Sequence, residues 1–306
     1  MMTRMEVNVR LLRCLIAVID EGHFGRAAER LYISAPALSQ QIQRLERQVG
    51  VRLVDRSSHP VRPLPDALEF VAAARAVLVE SDRALAIAQA LRRRGENRLR
   101  VGFVLTFAGP LTRPILDDFA TAAPDVAIEL VELGFADQVG AVLDGTVDVS
   151  FAVGPLDLDA RLEVDTVLTE PRTLAVAATH PLARQRSLRI NDVADSPQIC
   201  LAPNQVTDEW FRWWAVDPRP DGSHPRYGPS CHSAVDFLEF VSTGRGVGIT
   251  ATSLGDLFPR PGIAYVPIDD VEYSTTYLCS RAGDRSAAVQ RLRYVVTDVA
   301  ATRRFG

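Results

Sequence analysis

Serine, glutamine and arginine side chains share one helix face in the segment YISAPALSQQIQRLE, residues 32–46. Apolar residues at helical spacing form a narrow stripe on the other face: Leu38, Ile42, Leu45 and Val49. In a major groove, small polar residues allow close approach, amides and guanidinium groups hydrogen-bond to base edges, and arginine also pairs with phosphates. The chemistry that this segment indicates is recognition of double-stranded DNA.

We predict that the front of this helix faces bases and that the arginines contact phosphates. The predicted DNA-binding residues are Ser34, Pro36, Ser39, Gln40, Gln43, Arg44, Arg56 and Arg62. The alternative is a helical pair that serves only dimerisation. Charge favours DNA, because residues 1–100 contain 17 arginines against 11 acidic residues, whereas the whole chain has a net charge of −4.

Signals for catalysis, metal binding and cofactors are weak. The histidines have no metal-ligand spacing: His23, His59, His180, His224 and His232. The cysteines are far apart in the chain: Cys14, Cys200, Cys231 and Cys279. The segment TGRGVGIT has its glycines before a predicted strand rather than after it, which is wrong for a nucleotide loop. We predict a protein that is not an enzyme and has no metal or cofactor, and redox sensing by Cys200 with Cys231 is a minor alternative.

Three helices are predicted to position the DNA-binding residues. The first covers Val9–Glu21 and ends at Gly22, and the second covers residues 26–31 with Gly25 as a permissive N-cap. Ser34 is the predicted N-cap of the third, and two short helices joined by a tight turn form a helix-turn-helix. Residues 51–64 then predict a small β-wing around a Ser-Ser-His-Pro turn.

A long helix is predicted over residues 65–91, before the charged hinge RRRGENR. Apolar residues recur in it at intervals of seven: Leu64, Val71, Leu78 and Leu85. Alanines on the neighbouring ridge suit close packing against a second helix, so we predict a dimerisation seam. The alternative is an ordinary amphipathic helix packed on its own domain.

Beyond residue 98 the pattern is that of an α/β protein. The runs LRVGFVL, VAIELVEL and VDVSFAVG predict strands of a parallel sheet, with helices over TFAGPLTRPILDDFATAAP and ADQVGAVLDG. Further strands are predicted for RTLAVAA, QICLA, GVGIT and TTYLCS, and a helix for CHSAVDFLEFVSTG. Residues 155–172 and 203–230 are predicted to be loops that connect two lobes.

The segment over residues 22–56 resembles the N-terminal domain of LysR-type transcriptional regulators. The matching residues are Ala27, Ala28, Leu31, Ser34, Pro36, Ser39, Ile42, Leu45, Glu46, Gly50, Leu53 and Arg56. Four departures stand out. Gly25 replaces the usual serine or threonine, which predicts weaker capping of the second helix, and Ala35 and Gln40 replace the usual glutamine and arginine near the DNA. The wing ends in LPDA rather than Leu-Thr-x-x-Gly, so entry into the long helix is expected to differ.

The resemblance implies an α/β protein overall, with three parts. A mostly α-helical winged helix-turn-helix covers residues 1–64, a linker helix 65–95 and a two-lobed effector domain like a periplasmic binding protein 96–306. Lobe one is expected over 98–165 and 268–306, and lobe two over 166–267. The family also implies a cytoplasmic homodimer joined by the linker helix, assembling into a tetramer, that binds an interrupted inverted repeat in DNA.

The effector is expected in the cleft between the lobes. Ligands of open α/β sheets bind outside the carboxyl ends of strands, where helix N-termini present free N–H groups. The predicted effector-binding residues are Thr106, Pro203, Asn204, Cys231, His232 and Thr250. For each of them, a capping or turn role is an equal alternative.

The segment EWFRWWAVDP contains Trp210, Trp213 and Trp214, which we predict to be core packing, with shielding of an aromatic effector as the alternative. A rival to the regulator is a solute-binding or enzymatic α/β protein with an appended helical interaction domain. Salt-dependent DNA binding would distinguish the two.

Overall fold

The computed structural model describes residues 8–58, 60–95, 97–156, 160–201 and 206–303. The chain divides into two compact units, residues 1–87 and 88–306. In the first unit, the elements are α1 (Val9–Glu21), α2 (Phe24–Arg30), α3 (Ala35–Val49), β1 (Val54–Asp55), β2 (Arg62–Pro63), a 3-10 turn (Pro65–Ala67) and the start of α4 (Leu68–Gly95).

Helix ends in the first unit follow from local hydrogen bonding. α1 ends at Gly22, which has a φ of 60°, and Ser34 caps α3 by accepting a hydrogen bond from the N–H of Ala37, as predicted. The predicted start of α2 is wrong. His23 is the N-cap, because its Nδ1 accepts hydrogen bonds from the N–H groups of Gly25 and Arg26 at 3.0 and 3.4 Å.

Gly25 therefore lies inside α2 and does not cap it. A Cβ at Gly25 would lie 2.9 Å from Cε1 of the His23 ring, so the cap and the glycine depend on each other. The expectation of a weakly capped second helix is wrong for the same reason: the imidazole supplies the acceptor that serine or threonine supplies elsewhere.

The wing is a short antiparallel hairpin in which Val54 pairs with Pro63 and Asp55 with Arg62. One core joins the three helices and the wing, and includes Leu15, Leu38, Ile42, Leu45, Leu53 and Val54. The predicted stripe of α3 therefore docks the helix, with Leu38, Ile42 and Leu45 fully buried.

The residues of the predicted dimerisation seam of α4 are not all exposed. Val71 is buried in the core of the first unit, and Leu64 and Leu78 pack against that core, while the side chain of Leu85 is 55% exposed. The alternative, an ordinary amphipathic helix packed on its own domain, therefore describes the N-terminal half of this face of α4. Its ion pairs, Arg75 with Asp20 and Arg13 with Asp82, join α4 to α1.

A different face of α4 is exposed and apolar. Its residues, which we call the outer stripe, are Ala73, Val77, Ala84, Ile87 and Leu91. They follow the spacing of a heptad repeat, with Glu80 at the one interrupted position.

The second unit contains the C-terminal turns of α4 and two lobes. Lobe one is built on a five-stranded sheet in the order β4 (Ala127–Glu132), β3 (Arg98–Phe103), β5 (Val149–Val153), β12 (Ser274–Arg281) and β6 (Leu162–Glu170). β3 is parallel to β4 and β5, as predicted, and β12 is antiparallel to β5 and β6. The prediction of a loop over residues 155–172 is wrong where β6 forms, and the expected lobe boundary at 165/166 falls inside this strand.

Lobe two is built around β7 (Arg172–Ala177), which pairs antiparallel with β10 (Gly248–Ala251) and β11 (Ile263–Pro267). β8 (Gln198–Leu201) and β9 (Tyr227–Cys231) form a parallel pair, joined to β10 by a bridge between Gln198 and Val247. The predicted loop over residues 203–230 is wrong where it contains α7 (Asp208–Ala215) and β9.

Helices cover the sheets of both lobes: α5 (Thr112–Ala122), α6 (Gly140–Leu143), α8 (Ala234–Ser242), α9 (Thr252–Leu257) and α10 (Ala287–Thr302). α6 is much shorter than the predicted helix over residues 136–145. α10, which was not predicted, buries Leu292, Val296 and Val299 in the core of lobe one. In the described part of the chain, no helix has the length and apolar character needed to cross a membrane.

Candidate nucleic-acid interface and small-molecule cleft

The front of α3 carries most of the predicted DNA-binding residues. Ser34 and Pro36 are exposed at its N-terminus, and Gln40, Gln43 and Arg44 are exposed along one side. The turn before it contains Tyr32, which has a φ of 54° and is 96% exposed. Non-glycine residues with positive φ are uncommon and concentrate at functional sites. Tyr32 was not among the predicted DNA-binding residues, because backbone strain leaves no sign in a single sequence.

Arg56 lies in a different environment from the one expected. Its guanidinium donates to Ser39 Oγ at 3.1 Å and to Glu46 Oε2 at 3.2 Å, and it lies 5.5 Å from the centre of the Phe24 ring. Glu46 also accepts a hydrogen bond from the N–H of Leu53 at 2.9 Å. The charge of Arg56 is thus partly neutralised, and its geometry is that of a clamp between α3 and the wing.

Four other arginines are exposed and form no ion pair with another described residue: Arg44, Arg47, Arg52 and Arg62. Arg47 and Arg52 were not predicted, and they line one shallow depression of about 640 Å³ together with Gln43 and Arg56. Elsewhere in the described part of the unit, Arg13, Arg30 and Arg75 are paired with acidic residues, whereas Arg10 on α1 is exposed and has no ion pair with a described residue. Uncompensated positive charge is therefore concentrated on α3 and the wing.

The second candidate site is a cleft of about 510 Å³ between the lobes. Lobe one contributes the segments after β3 and β4, which include Leu105, Glu132 and Asp137, and lobe two contributes His232 and Ser233 at the start of α8. These are carboxyl ends of strands and a helix N-terminus, as the α/β pattern predicts. Glu132, Asp137 and Phe135 were not among the predicted residues.

The cleft continues into a smaller apolar space of about 40 Å³. Its lining includes Leu105, Phe135, Leu201, Trp214, Cys231, Ser233, Phe237, Ile249, Thr250 and Leu254. Of the predicted effector residues, the structure brings Cys231, His232 and Thr250 to these two connected spaces. Thr106 follows Leu105 in the loop after β3 and is half-buried, while Pro203 and Asn204 lie outside the described residues.

The loop after β3 is strained. Leu105 and Phe107 have φ angles of 58° and 57°, and Thr112 Oγ1 donates to the carbonyls of Thr106 and Gly109 at 3.2 and 2.8 Å. Strained backbone of this kind persists only where its surroundings hold it. The result is that the side chain of Leu105 is held between the larger and the smaller space.

Cys231 lies at the end of β9, where burial raises the pKa of its thiol to about 11. It pairs in register with Leu201, whereas Cys200 pairs with Ser230. Because successive side chains of a strand point to opposite faces, Cys200 and Cys231 face away from each other. All four cysteines are free thiols.

Side-chain hydrogen bonds join the two lobes. Trp210 Nε1 donates to the carbonyl of Val153 at 2.7 Å, and Ser253 donates to Glu170 through its N–H at 2.6 Å and its Oγ at 2.8 Å. Burial raises the pKa of Glu170. A Cβ at Gly154, which has a φ of 96°, would collide with the ring of Trp210. Trp210 is 4% exposed, which agrees with the packing prediction for the tryptophans, while Trp214 lines the apolar space.

The last turns of α4 are fixed to lobe one by a buried ion pair. Arg93 donates to both carboxylate oxygens of Asp148 at 2.8 and 2.6 Å. Asp148 also contacts Arg281 at 3.4 Å and accepts the N–H of Arg100 at 2.9 Å. Across the described ranges, no group of three or more His, Cys, Asp or Glu residues could hold a metal ion.

Comparison with known proteins agrees with this geometry. Residues 9–68 match the bacterial regulatory helix-turn-helix domain of the lysR family, and residues 92–301 match the LysR substrate binding domain. The chain is 34% identical to the transcriptional regulator AlsR of Bacillus subtilis over 91% of each chain. It is 34% identical to the uncharacterised regulator YnfL of Escherichia coli, over 81% of this chain and 84% of that one.

A crystal structure of a full-length BenM variant is similar throughout, with 25% identity, a TM-score of 0.59 and coverage of 98% of both chains. Both parts of the chain thus have counterparts in one family, which does not favour a solute-binding or enzymatic protein with an unrelated appended domain. The chain belongs to the LysR family of bacterial transcriptional regulators.

Proposed function

We propose that this chain regulates transcription by binding DNA through α3 and the wing, under the control of a small molecule bound in the cleft. The observation that carries the proposal is the concentration of uncompensated arginines around an exposed Gln40. Gln40, Ser34, Pro36 and Gln43 would approach the base edges. Arg44, Arg47, Arg52 and Arg62 would contact phosphates, and Arg56 with Ser39 would hold the wing in place.

The proposed division assigns residues 1–64 to DNA binding, 65–95 to the linker and 96–306 to effector binding. The end of β6 at Glu170 supports moving the division between the lobes from 165/166 to just after this residue. We further propose a cytoplasmic protein that acts by binding and catalyses no reaction, because both parts of the chain match domains of one family whose named members are transcriptional regulators.

The outer stripe supports a homodimer formed through α4, since five exposed apolar or small residues on one helix face suit burial against a second copy. Further association into a tetramer would follow the family's assembly. A two-fold protein would read an inverted repeat with one α3 in each major groove. Ligand binding would favour one arrangement of the assembly over another through its differential affinity.

The test is binding to the DNA immediately upstream of the protein's own gene, followed by fluorescence anisotropy over a range of salt concentrations. We expect Gln40→Ala to change the preference among single-base variants of the site by about 1–3 kcal/mol. Arg44→Ala should weaken all duplexes alike and lower the salt slope by about one. Arg113→Ala, which removes an exposed arginine from α5, is the matched control. Uniform weakening by both test variants would contradict the assigned roles.

A further inference from the structure

The effector cleft has an unusual charge for a binding site that opens at a helix N-terminus. Its described lining contains the carboxylates of Glu132 and Asp137 and no arginine. Neither carboxylate forms an ion pair or side-chain hydrogen bond with another described residue. The undescribed internal segments within residues 97–303, at 157–159 and 202–205, contain no basic residue in their sequence. The cleft therefore contains two carboxylates that form no ion pair with a described residue, together with the imidazole of His232 and no arginine.

The N-terminus of α8 is already occupied by the chain's own groups. Ser233 Oγ accepts the N–H of Asp236 at 3.1 Å, and Asp236 Oδ2 accepts the N–H of His232 at 3.1 Å. A helix N-terminus ordinarily favours an anion. Here Asp236 places a carboxylate in the first turn of the helix, where its Oδ2 accepts the N–H of His232, so an anionic ligand would meet a further negative charge on this side of the cleft.

The apolar space adjoining the cleft supplies a second observation. Three aromatic residues, Phe135, Trp214 and Phe237, line it. Thr250, which is 7% exposed, also lines it, and its hydroxyl has no hydrogen-bond partner among the described residues. The Thr250 hydroxyl is therefore open to this space and can hydrogen-bond to a ligand there.

We propose that the effector is a small organic cation, a primary amine that carries a short apolar group. The ammonium group binds between Glu132 and Asp137, and the apolar group packs on Leu105 and Phe135 in the larger cleft, at the side of the smaller space that Thr250 lines. Aromatic faces also attract cations, which adds to the preference over a carboxylate of the same shape. The proposal rests on the proposed function, in that it takes this cleft as the effector site.

Three probes of nearly equal shape test the charge preference: benzylamine, benzyl alcohol and benzoate. Titration of the full-length protein, followed by calorimetry and tryptophan fluorescence, should give a Kd about tenfold lower for benzylamine than for benzyl alcohol, with benzoate the weakest. The double variant Glu132→Gln with Asp137→Asn should remove the preference for benzylamine and leave the Kd of benzyl alcohol unchanged. Glu129→Gln is the matched control, because Glu129 lies in β4 but is paired with Arg100 at 3.4 Å.

The inference is overturned if benzoate binds most tightly, if the double variant keeps the order of affinities, or if none of the probes binds at millimolar concentration. DNA binding measured on the same preparation separates the two proposals. Loss of specific DNA binding by the unmodified protein would contradict the proposed function. Normal DNA binding with a preference for benzoate would contradict only the cationic effector.

Discussion

Glu46 joins the recognition helix to the wing with a single carboxylate. One oxygen accepts the backbone N–H groups of Leu53 and Val54 at 2.9 and 3.4 Å, and the other pairs with Arg56. The side chain of Glu46 is 12% exposed and that of Arg56 29%, so solvent screens the pair only in part. Leu45 beside it belongs to the hydrophobic core. At this point the chain fixes the angle of the wing relative to α3.

Arg56→Ala should lower the free energy of unfolding by about 1–2 kcal/mol, because it leaves Glu46 and Ser39 without their common donor. Arg56→Lys should recover little of this loss, since lysine cannot bridge two acceptors with a planar fork. Urea denaturation measures the stability, and the salt slope of DNA binding measures phosphate contact. If stability is unchanged while Arg56→Ala lowers the slope by about one, Arg56 is a phosphate contact and the clamp assignment is wrong.

The thiols give a prediction with a defined pH dependence. Burial raises the pKa of Cys231 from 9.0 to about 11, so its thiolate fraction should be roughly 100-fold lower than that of a free thiol at pH 8. Because the folded pKa lies above the unfolded one, the stability that Cys231 contributes is present below pH 9 and is lost as pH rises through about 11.

In a Cys200→Ser variant, the reaction of Cys231 with a thiol reagent at pH 8 should therefore be slow until the protein unfolds. When the pH of the reaction is raised, its rate should increase up to about pH 11. Mass spectrometry after mild peroxide treatment of the unmodified protein checks the alternative redox role. A Cys200–Cys231 disulfide in the folded protein would contradict the assignment of these side chains to opposite faces of the sheet.

Among the helices, α4 has two apolar faces in different surroundings. The Val71 face packs on α1, and the outer stripe is exposed. Val77→Asp combined with Ile87→Asp should convert the protein to monomers, because a carboxylate buried in a helix–helix contact costs several kcal/mol. Val79→Asp is the control, since Val79 is 40% exposed but lies off the stripe. Light scattering after gel filtration gives the mass, and an unchanged dimer in the double variant would exclude this seam.

Elements with regular periodicity and common caps were predictable from the sequence. α1 was predicted with its observed bounds and α3 with its observed start, because Gly22 and Ser34 have the usual roles. The predicted start of α2 lay too late in the chain, since histidine is not a common N-cap residue. Intervals of seven in α4 fit two stripes, and only tertiary contacts show that Val71 and Leu78 of the predicted seam pack on the core of the first unit.

The candidate cleft was only partly predictable for a related reason. Cys231, His232 and Thr250 were found because strand ends and helix starts can be located along the chain. Glu132 ends β4 and Asp137 follows it in the loop, yet exposed acidic residues at such positions have no distinctive pattern. Whether such a carboxylate has an ion-pair partner depends on its three-dimensional surroundings, which a single sequence does not show.

At the scale of the second unit, Arg93 makes the end of α4 part of lobe one. The side chains of Arg93 and Asp148 are 10% and 7% exposed, so loss of Arg93 leaves Asp148 with only the longer contact to Arg281, and loss of Asp148 leaves the Arg93 guanidinium buried without a carboxylate. Arg93→Ala and Asp148→Asn should each lower the free energy of unfolding of residues 88–306 by about 3–5 kcal/mol.

Urea denaturation of the two variants tests this value, with Arg113→Ala as the control for an exposed pair, expected to change stability by less than about 0.5 kcal/mol. A loss below about 1 kcal/mol in both buried-pair variants would show that the linker helix is held by other contacts. In that case the ion pair could not transmit a change in lobe one to the helix.

The uncompensated positive charge on α3 and the wing consists only of arginine, because the sequence contains no lysine. Guanidinium groups stay protonated throughout the physiological pH range. Acetyltransferases that silence other basic surfaces act on lysine and have no side-chain target on this one. The electrostatic attraction between this protein and DNA is therefore set when the chain is synthesised, and acetylation of its basic face is not available as a means of control.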